Sequence, residues 1–176
     1  ILSEGFDSFG FGIAVQGNEI YAVQTFFGPG ADAAGDGDAE RLTLKAARDL
    51  ALDEINAARA DAGHDRLERS EALDTLAERV LARLAGDPEA LPENVFGLLP
   101  EGASGWTSLA LQSASLGGTG ATLTREDVAA IISEWVSAGS GSERSLGSAA
   151  ASHFGFAAEA AGGGRSSAVA VFGGRK

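Results

Sequence analysis

The same stretch of text stands near both ends of this chain. Phe9-Gly10-Phe11 returns as Phe154-Gly155-Phe156, and Ala22-Val23-Gln24-Thr25-Phe26 returns as Ala168-Val169-Ala170-Val171-Phe172, 145 positions on before the intervening turn and 146 after it. That offset is too long for a solenoid unit and suits a whole small domain. In the first copy Phe9, Phe11, Ile13 and Val15 alternate with smaller residues. Gly17-Asn18 intervenes, and alternation resumes through Ile20, Ala22, Gln24 and Phe26. Period-2 alternation about a glycine turn is the pattern of a β-hairpin, and Gly162-Gly163-Gly164 serves as the turn in the second copy. The repeat therefore divides the chain: residues 1–28 read as the closing hairpin of a preceding domain, and residues 41–176 as a domain that ends in its own hairpin.

Residues 29–40 join the two. Small, acidic and glycine-rich, with nothing to bury, they read as a solvated linker. Beyond them, Leu42, Ala46, Leu50 and Ile55 fall at near-helical spacing, predicting a helix from residue 40 to about 62 with Gly63 as its stop. Ser70 caps a second helix whose stripe is Leu73, Leu76, Ala77, Val80, Leu81 and Leu84, ending at Gly86-Asp87-Pro88. Thr124, with Asp127 three positions on, opens a third that carries Val128, Ile131, Ile132 and Trp135 before Gly139. Residues 106–114 read as a strand and 139–152 as a long loop. Helices covering an antiparallel sheet make the fold class α+β. A domain of this length buries roughly 70% of its unfolded surface, enough for one core without disulfides or metals.

Charge and cysteine content narrow the function. The chain carries 25 acidic and 13 basic residues, for a formal net charge of −12. Such a surface repels phosphates and anionic lipid heads, which argues against nucleic acid and membrane surface as partners. No apolar run approaches the roughly 18 residues of a membrane span. With no Cys, thiol catalysis, thiolate metal sites and disulfides are excluded. There is no Met, and the chain opens at Ile1, which implies upstream residues that were removed or lie outside this sequence, and leaves a signal peptide open.

Chemistry-bearing residues are few. His64 follows a helix stop among charged residues and reads as a turn residue, while His153 precedes the hairpin Phe154 and reads as a solvent-facing strand position. Ser142 and Ser145 lie in a Ser/Gly loop with no G-x-S-x-G elbow, so a flexible loop is the reading there. The acidic linker offers oxygen ligands but lacks the order of a calcium loop, and no helix follows Gly162-Gly163-Gly164 to make a phosphate cradle.

Ile55-Asn56-Ala57-Ala58-Arg59 followed by Gly63, Leu67 and the helix opening at Ala72-Leu73 resembles the start of the CAP superfamily, or SCP domain, whose bacterial members carry an L-N-x-x-R-x-x-x-G helix end. Glu93-Asn94-Val95 stands where that family has a G-E-N-I strand, Trp135-Val136-Ser137 stands at its W-M-x-S-P-G-H-R motif, and the final hairpin matches its closing strands. Residues 1–12 resemble the family's I-L-x-x-x-F-x-x-x-G-x-G run, joined just after the place of its second His. The resemblance implies a three-layer α-β-α sandwich with an antiparallel sheet flanked by helices. It also implies a cleft in which intact members set two His and two Glu around a divalent ion. Here the helix His falls at Val80 and the second near Ser142; Glu93 keeps one carboxylate position, and Glu134 is the candidate for the other. A lone carboxylate without His makes no good zinc site, so the domain reads as a degenerate copy, with Glu93, Ser142 and Glu134 as cleft remnants and no catalytic residue, metal or cofactor assigned.

The expectation is a secreted, periplasmic or cell-surface binding or assembly module. Its partner through residues 1–28 is the upstream fragment of the same precursor, cut before Ile1, or a neighbouring protomer; the sheet of its own second domain is a third host. Two alternatives stand beside it. One is a metal-dependent hydrolase whose active cleft lies near Glu93 or in the missing upstream repeat. The other is an apolar-ligand carrier lined by Phe96, Leu98, Leu99, Trp106 and Trp135, residues that core packing explains equally well.

Overall fold

The computed structural model describes the backbone of residues 8–16 and 19–27, and residues 41–86, 94–117, 122–138, 149–161 and 165–175. The chain forms two compact units, Ile1–Ala39 and Glu40–Lys176. The first holds β1 (Ser8–Gln16) and β2 (Glu19–Phe27), an antiparallel pair. The second contains α1 (Leu44–Asp61), β3 (Glu68–Arg69), α2 (Glu71–Gly86), a short 3-10 turn (Val95–Leu98), β4 (Trp106–Gly117), α3 (Arg125–Ala138), β5 (His153–Ala161) and β6 (Arg165–Arg175).

The sheet of the second unit has the order β3-β5-β6-β4. Its three long strands are antiparallel, as the hairpin pattern predicts. The two-residue β3 adds a parallel edge, Glu68 opposite His153 and Arg69 opposite Phe154, which makes the sheet mixed. Strand alternation sorts the core into two layers. Phe154, Phe156, Ala168, Ala170 and Phe172 face α1 and α3, and meet Ala47, Ala51 and Ile55 of the one and Val128, Ile131, Ile132 and Trp135 of the other. Ala157, Val169 and Val171 face α2 and meet Leu73, Leu76, Ala77 and Val80. The result is an α-β-α sandwich.

Helix ends follow the sequence signals. Thr43 accepts a hydrogen bond from the Ala46 N–H at 3.2 Å and starts α1. At its far end the His64 N–H reaches Arg59 O and the Gly63 N–H reaches Ala60 O, with Gly63 at φ 75°, a Schellman stop in the left-handed region that glycine adopts without strain. Thr124 and Asp127 form a reciprocal capping box on α3: the Asp127 N–H donates to Thr124 Oγ1 at 3.2 Å, and the Thr124 N–H donates to Asp127 Oδ2 at 3.0 Å.

The motif residues of α1 are structural. Asn56, buried, donates to Leu67 O at 3.1 Å and accepts from the Leu67 N–H at 2.7 Å, so it stands in for a strand neighbour and holds the chain entering β3. Arg59 is fully buried and donates to the carbonyls of Asp65, at 2.9 Å, and Ala151, at 3.4 Å. Burial pulls its guanidinium below the ordinary arginine value, with Asp65 opposing the shift. Of the segment that the resemblance places at a G-E-N-I strand, Glu93 lies outside the described residues and Val95 opens the 3-10 turn of residues 95–98. Asn94 accepts from the Phe96 N–H at 3.0 Å, and Arg79 of α2 donates to Leu98 O at 2.7 Å and Leu99 O at 3.0 Å.

The two hairpins coincide in register. Ser8 opposes Phe27, Phe9 opposes Phe26 and Gln16 opposes Glu19. At the repeat offset these become His153 opposite Gly173, Phe154 opposite Phe172 and Ala161 opposite Arg165, each an observed pair.

Candidate functional site

Two features of the second unit concentrate polar groups against its sheet. The first lies along β5. After Arg69, β3 ends and leaves the outer edge of β5 without a strand partner among the described residues. Side chains take its place. Asp74, buried on the first turns of α2, accepts from the Phe156 N–H at 2.9 Å, and Arg48 of α1 donates through Nε to Phe156 O at 3.0 Å. The two ions therefore satisfy both backbone groups of the residue that the next strand would have paired. Arg69 Nε holds the same carboxylate at 2.8 Å, and Arg48 also pairs with Glu78. Arg69 reaches Asp49 at 3.1 Å, and Asp49 meets Lys45 at 2.9 Å. Its hydrogen bond to Asp74 holds the Arg69 guanidinium above the ordinary arginine value, and Lys45 holds Asp49 below the ordinary carboxylate value.

The second is an open cleft of about 490 Å³ between the end of α2 and the turn end of the sheet. Leu81 and Leu84 form an apolar wall, Ser115 and Ser167 bring hydroxyls 2.6 Å apart, and Glu159 and Arg165 bring one charge of each sign. This is a set of recognition groups, hydrogen-bond donors and acceptors beside a leucine surface.

Among the described residues, those singled out from sequence do not gather in one place. Glu93 and Ser142 lie outside the described residues. Glu134 is exposed on α3, and its neighbour Trp135 is buried between α3 and the sheet, edge-on to Phe156 with ring centroids 6.3 Å apart. Trp106 packs on the opposite face, in the α2 layer, with the Arg175 guanidinium 4.0 Å above its ring. The sheet separates the two tryptophans, and Phe96, on the 3-10 turn, is 39% exposed. Val80, at the place of the family's helix His, is core. His64 sits half-buried at the Schellman stop, and His153 packs edge-on against Trp106 at 5.3 Å with its Nδ1 2.8 Å from Ser152 Oγ. Among the described residues no three His, Asp or Glu side chains gather as a metal site would require.

Sequence reasoning missed the Arg48–Asp74 pair, whose Nε and Oδ2 lie 3.5 Å apart. The signal was present in Asp74 itself, an acid three residues before Ala77 and seven before Leu81 on the apolar stripe of α2. A carboxylate on a buried stripe must have a partner.

No family model and no curated protein matches the chain. Solved structures do. An outer surface protein from Borrelia burgdorferi aligns with a TM-score of 0.56 at 17% identity, over 78% of this chain and 99% of that one. A cysteine-rich secretory protein from Staphylococcus aureus aligns with a TM-score of 0.54 at 16% identity, over 76% of this chain and 40% of that one. The chain thus spans less than half the length of the staphylococcal protein. At such identities the likeness is one of fold, and together with the layers described above it makes the fold of this chain CAP-like.

Proposed function

We propose that this chain is a secreted or cell-surface binding or assembly module, non-catalytic in its second unit, in which residues 1–28 complete the sheet of another polypeptide piece. The observation that carries this reading is the common register of β1–β2 and β5–β6, which supports a tandem origin for the two hairpins. In the second unit such a hairpin forms the middle of a four-stranded sheet, covered by helices on both faces. A two-stranded hairpin alone is marginal in water, so the first copy needs a comparable host. A preceding CAP-like segment of the same precursor answers most directly to the repeat. The surface or secreted character of both structural neighbours supports an extracellular setting. Native mass spectrometry of protein from its source is expected to show residues 1–28 together with a further CAP-like segment, and material carrying no such segment would overturn the hairpin's role.

The cleft beside Ser115 and Ser167 favours a second reading, in which the module carries a small amphipathic ligand. Native mass spectrometry after gentle extraction tests it: a bound small molecule lost on Ser167→Leu supports carriage, and an unliganded mass counts against it.

A further inference from the structure

The two hairpins agree in register but differ at positions that the slot of β5–β6 cannot tolerate. That slot is tight. A Cβ at Gly155 would lie 2.1 Å from the Leu73 carbonyl carbon and 2.4 Å from the Asp74 nitrogen, so the first turn of α2 rests directly on the β5 backbone. A Cβ at Gly173 would lie 2.6 Å from the Trp106 ring and 2.9 Å from Leu73 Cδ1. Ala170 is fully buried in the layer under α1 and α3.

In the first hairpin the place of Gly155 is again glycine, Gly10, while the place of Gly173 is held by Phe27 and that of Ala170 by Gln24. Small-residue demand is therefore kept where a helix backbone crosses and abandoned where a tryptophan ring does. A phenylalanine at the Gly173 position would meet the Trp106 ring from its first side-chain atom onward. A glutamine at the Ala170 position would bury an amide among Phe156, Trp135 and aliphatic side chains, which is unfavourable without a hydrogen-bond partner.

Resting on the tandem reading above, we propose that Phe27 and Gln24 keep the first hairpin out of the β5–β6 slot, and that its own host is a different sheet. That host brings a helix backbone to Gly10 and has a small residue where this unit has Trp106. Repeats that share a hairpin are prone to exchange it, and the misfit at two positions prevents this. It therefore rules out exchange of the hairpin into the β5–β6 position of this chain's second unit or of a neighbouring copy's.

The test uses the full chain. Gly155→Val drives a branched side chain into the α2 backbone and is expected to abolish the cooperative thermal transition. Adding Gln24→Ala and Phe27→Gly should restore it, with amide exchange becoming slow over residues 8–27 and fast over 153–175. Adding Gly10→Val should remove it again. A Gly155→Val protein that folds with residues 8–27 protected would overturn the proposal and leave the tandem reading standing, as would a restoration insensitive to Gly10→Val. A triple variant that stays unfolded would show that the hairpins are not interchangeable, and would overturn the tandem reading with it. A second series works on a folded background: Gly173→Phe is expected to lower the melting temperature and Trp106→Gly to recover part of that loss in the double variant. No recovery would overturn the size rule at this position.

Discussion

The two edges of the four-stranded sheet solve the same problem in opposite ways. At the β5 edge, two residues of β3 pair, and beyond them Asp74 and Arg48 cover the backbone with charge. At the β4 edge, twelve residues run with β6 on one side and no partner on the other among the described residues, and positions 107–117 contain no charged residue and no proline. Edge strands are commonly guarded by charge, proline or a bulge. β4 has one such device, the register shift between Trp106 and Ser108 at its start. An edge closed by a buried ion pair depends on that pair for stability, whereas an edge left bare depends on little and is open to association.

Four changes would sharpen or break this contrast. The largest effect is expected from Asp74→Ala, which strands the Phe156 N–H and removes the shared partner of Arg48 and Arg69. A loss of about 3 kcal/mol by denaturant unfolding is expected, and a loss under 0.5 kcal/mol would mean that the β5 edge is held by packing alone. Arg48→Met keeps the aliphatic stem and removes the donor to Phe156 O, for an expected loss of about 1–2 kcal/mol. Acidification should have a smaller effect. Asp49 is held below its ordinary value of 3.8, so its contribution is complete above the unfolded carboxylate value and is lost as pH falls through the lower folded one. Arg69, held above its ordinary value, contributes throughout that window and is lost only in strong alkali. Melting temperatures should therefore fall less steeply with acid in Asp49→Asn than in the parent, and parallel curves would remove Asp49 from the network. Last, Ala110→Lys puts a charge on the exposed β4 edge. Stability should stay within about 0.5 kcal/mol. Light scattering at high concentration should show less association than in the parent, and an unchanged signal would mean that β4 is not the sticky edge.

How much of this was legible in the sequence depends on the range of the interaction. The stop at Gly63 and the cap at Thr124 and Asp127 were, because they act on neighbours within a turn, whereas the Thr43 cap was not, and the sequence pattern starts the first helix at residue 40 instead of Leu44. The hairpins were, because alternation and a glycine turn are local. The β3 edge was not: two residues carry no periodicity, and their pairing with His153 and Phe154 spans more than eighty positions. Nor was the Arg48–Phe156 contact, which joins residues 108 apart. The candidate lining residues Phe96, Trp106 and Trp135 share only an aromatic character, and strand alternation then put the two tryptophans on opposite faces. The resemblance placed Asn56 and Arg59 in a motif, and the structure adds the physical reason, since both satisfy backbone groups of segments that run without regular partners.

The missing Cβ at Gly155 also bears on the order of assembly. α1, α2 and α3 precede β5 and β6 in the chain, yet the sheet surface on which they rest is made by those two strands. During synthesis the helices emerge with their apolar stripes unmatched. The Leu73 backbone meets its strand only after some eighty further residues have been made. Such long-range closure is slow. Throughout that interval the apolar faces of the three helices have no strand of their own sheet from β5 or β6 to cover them.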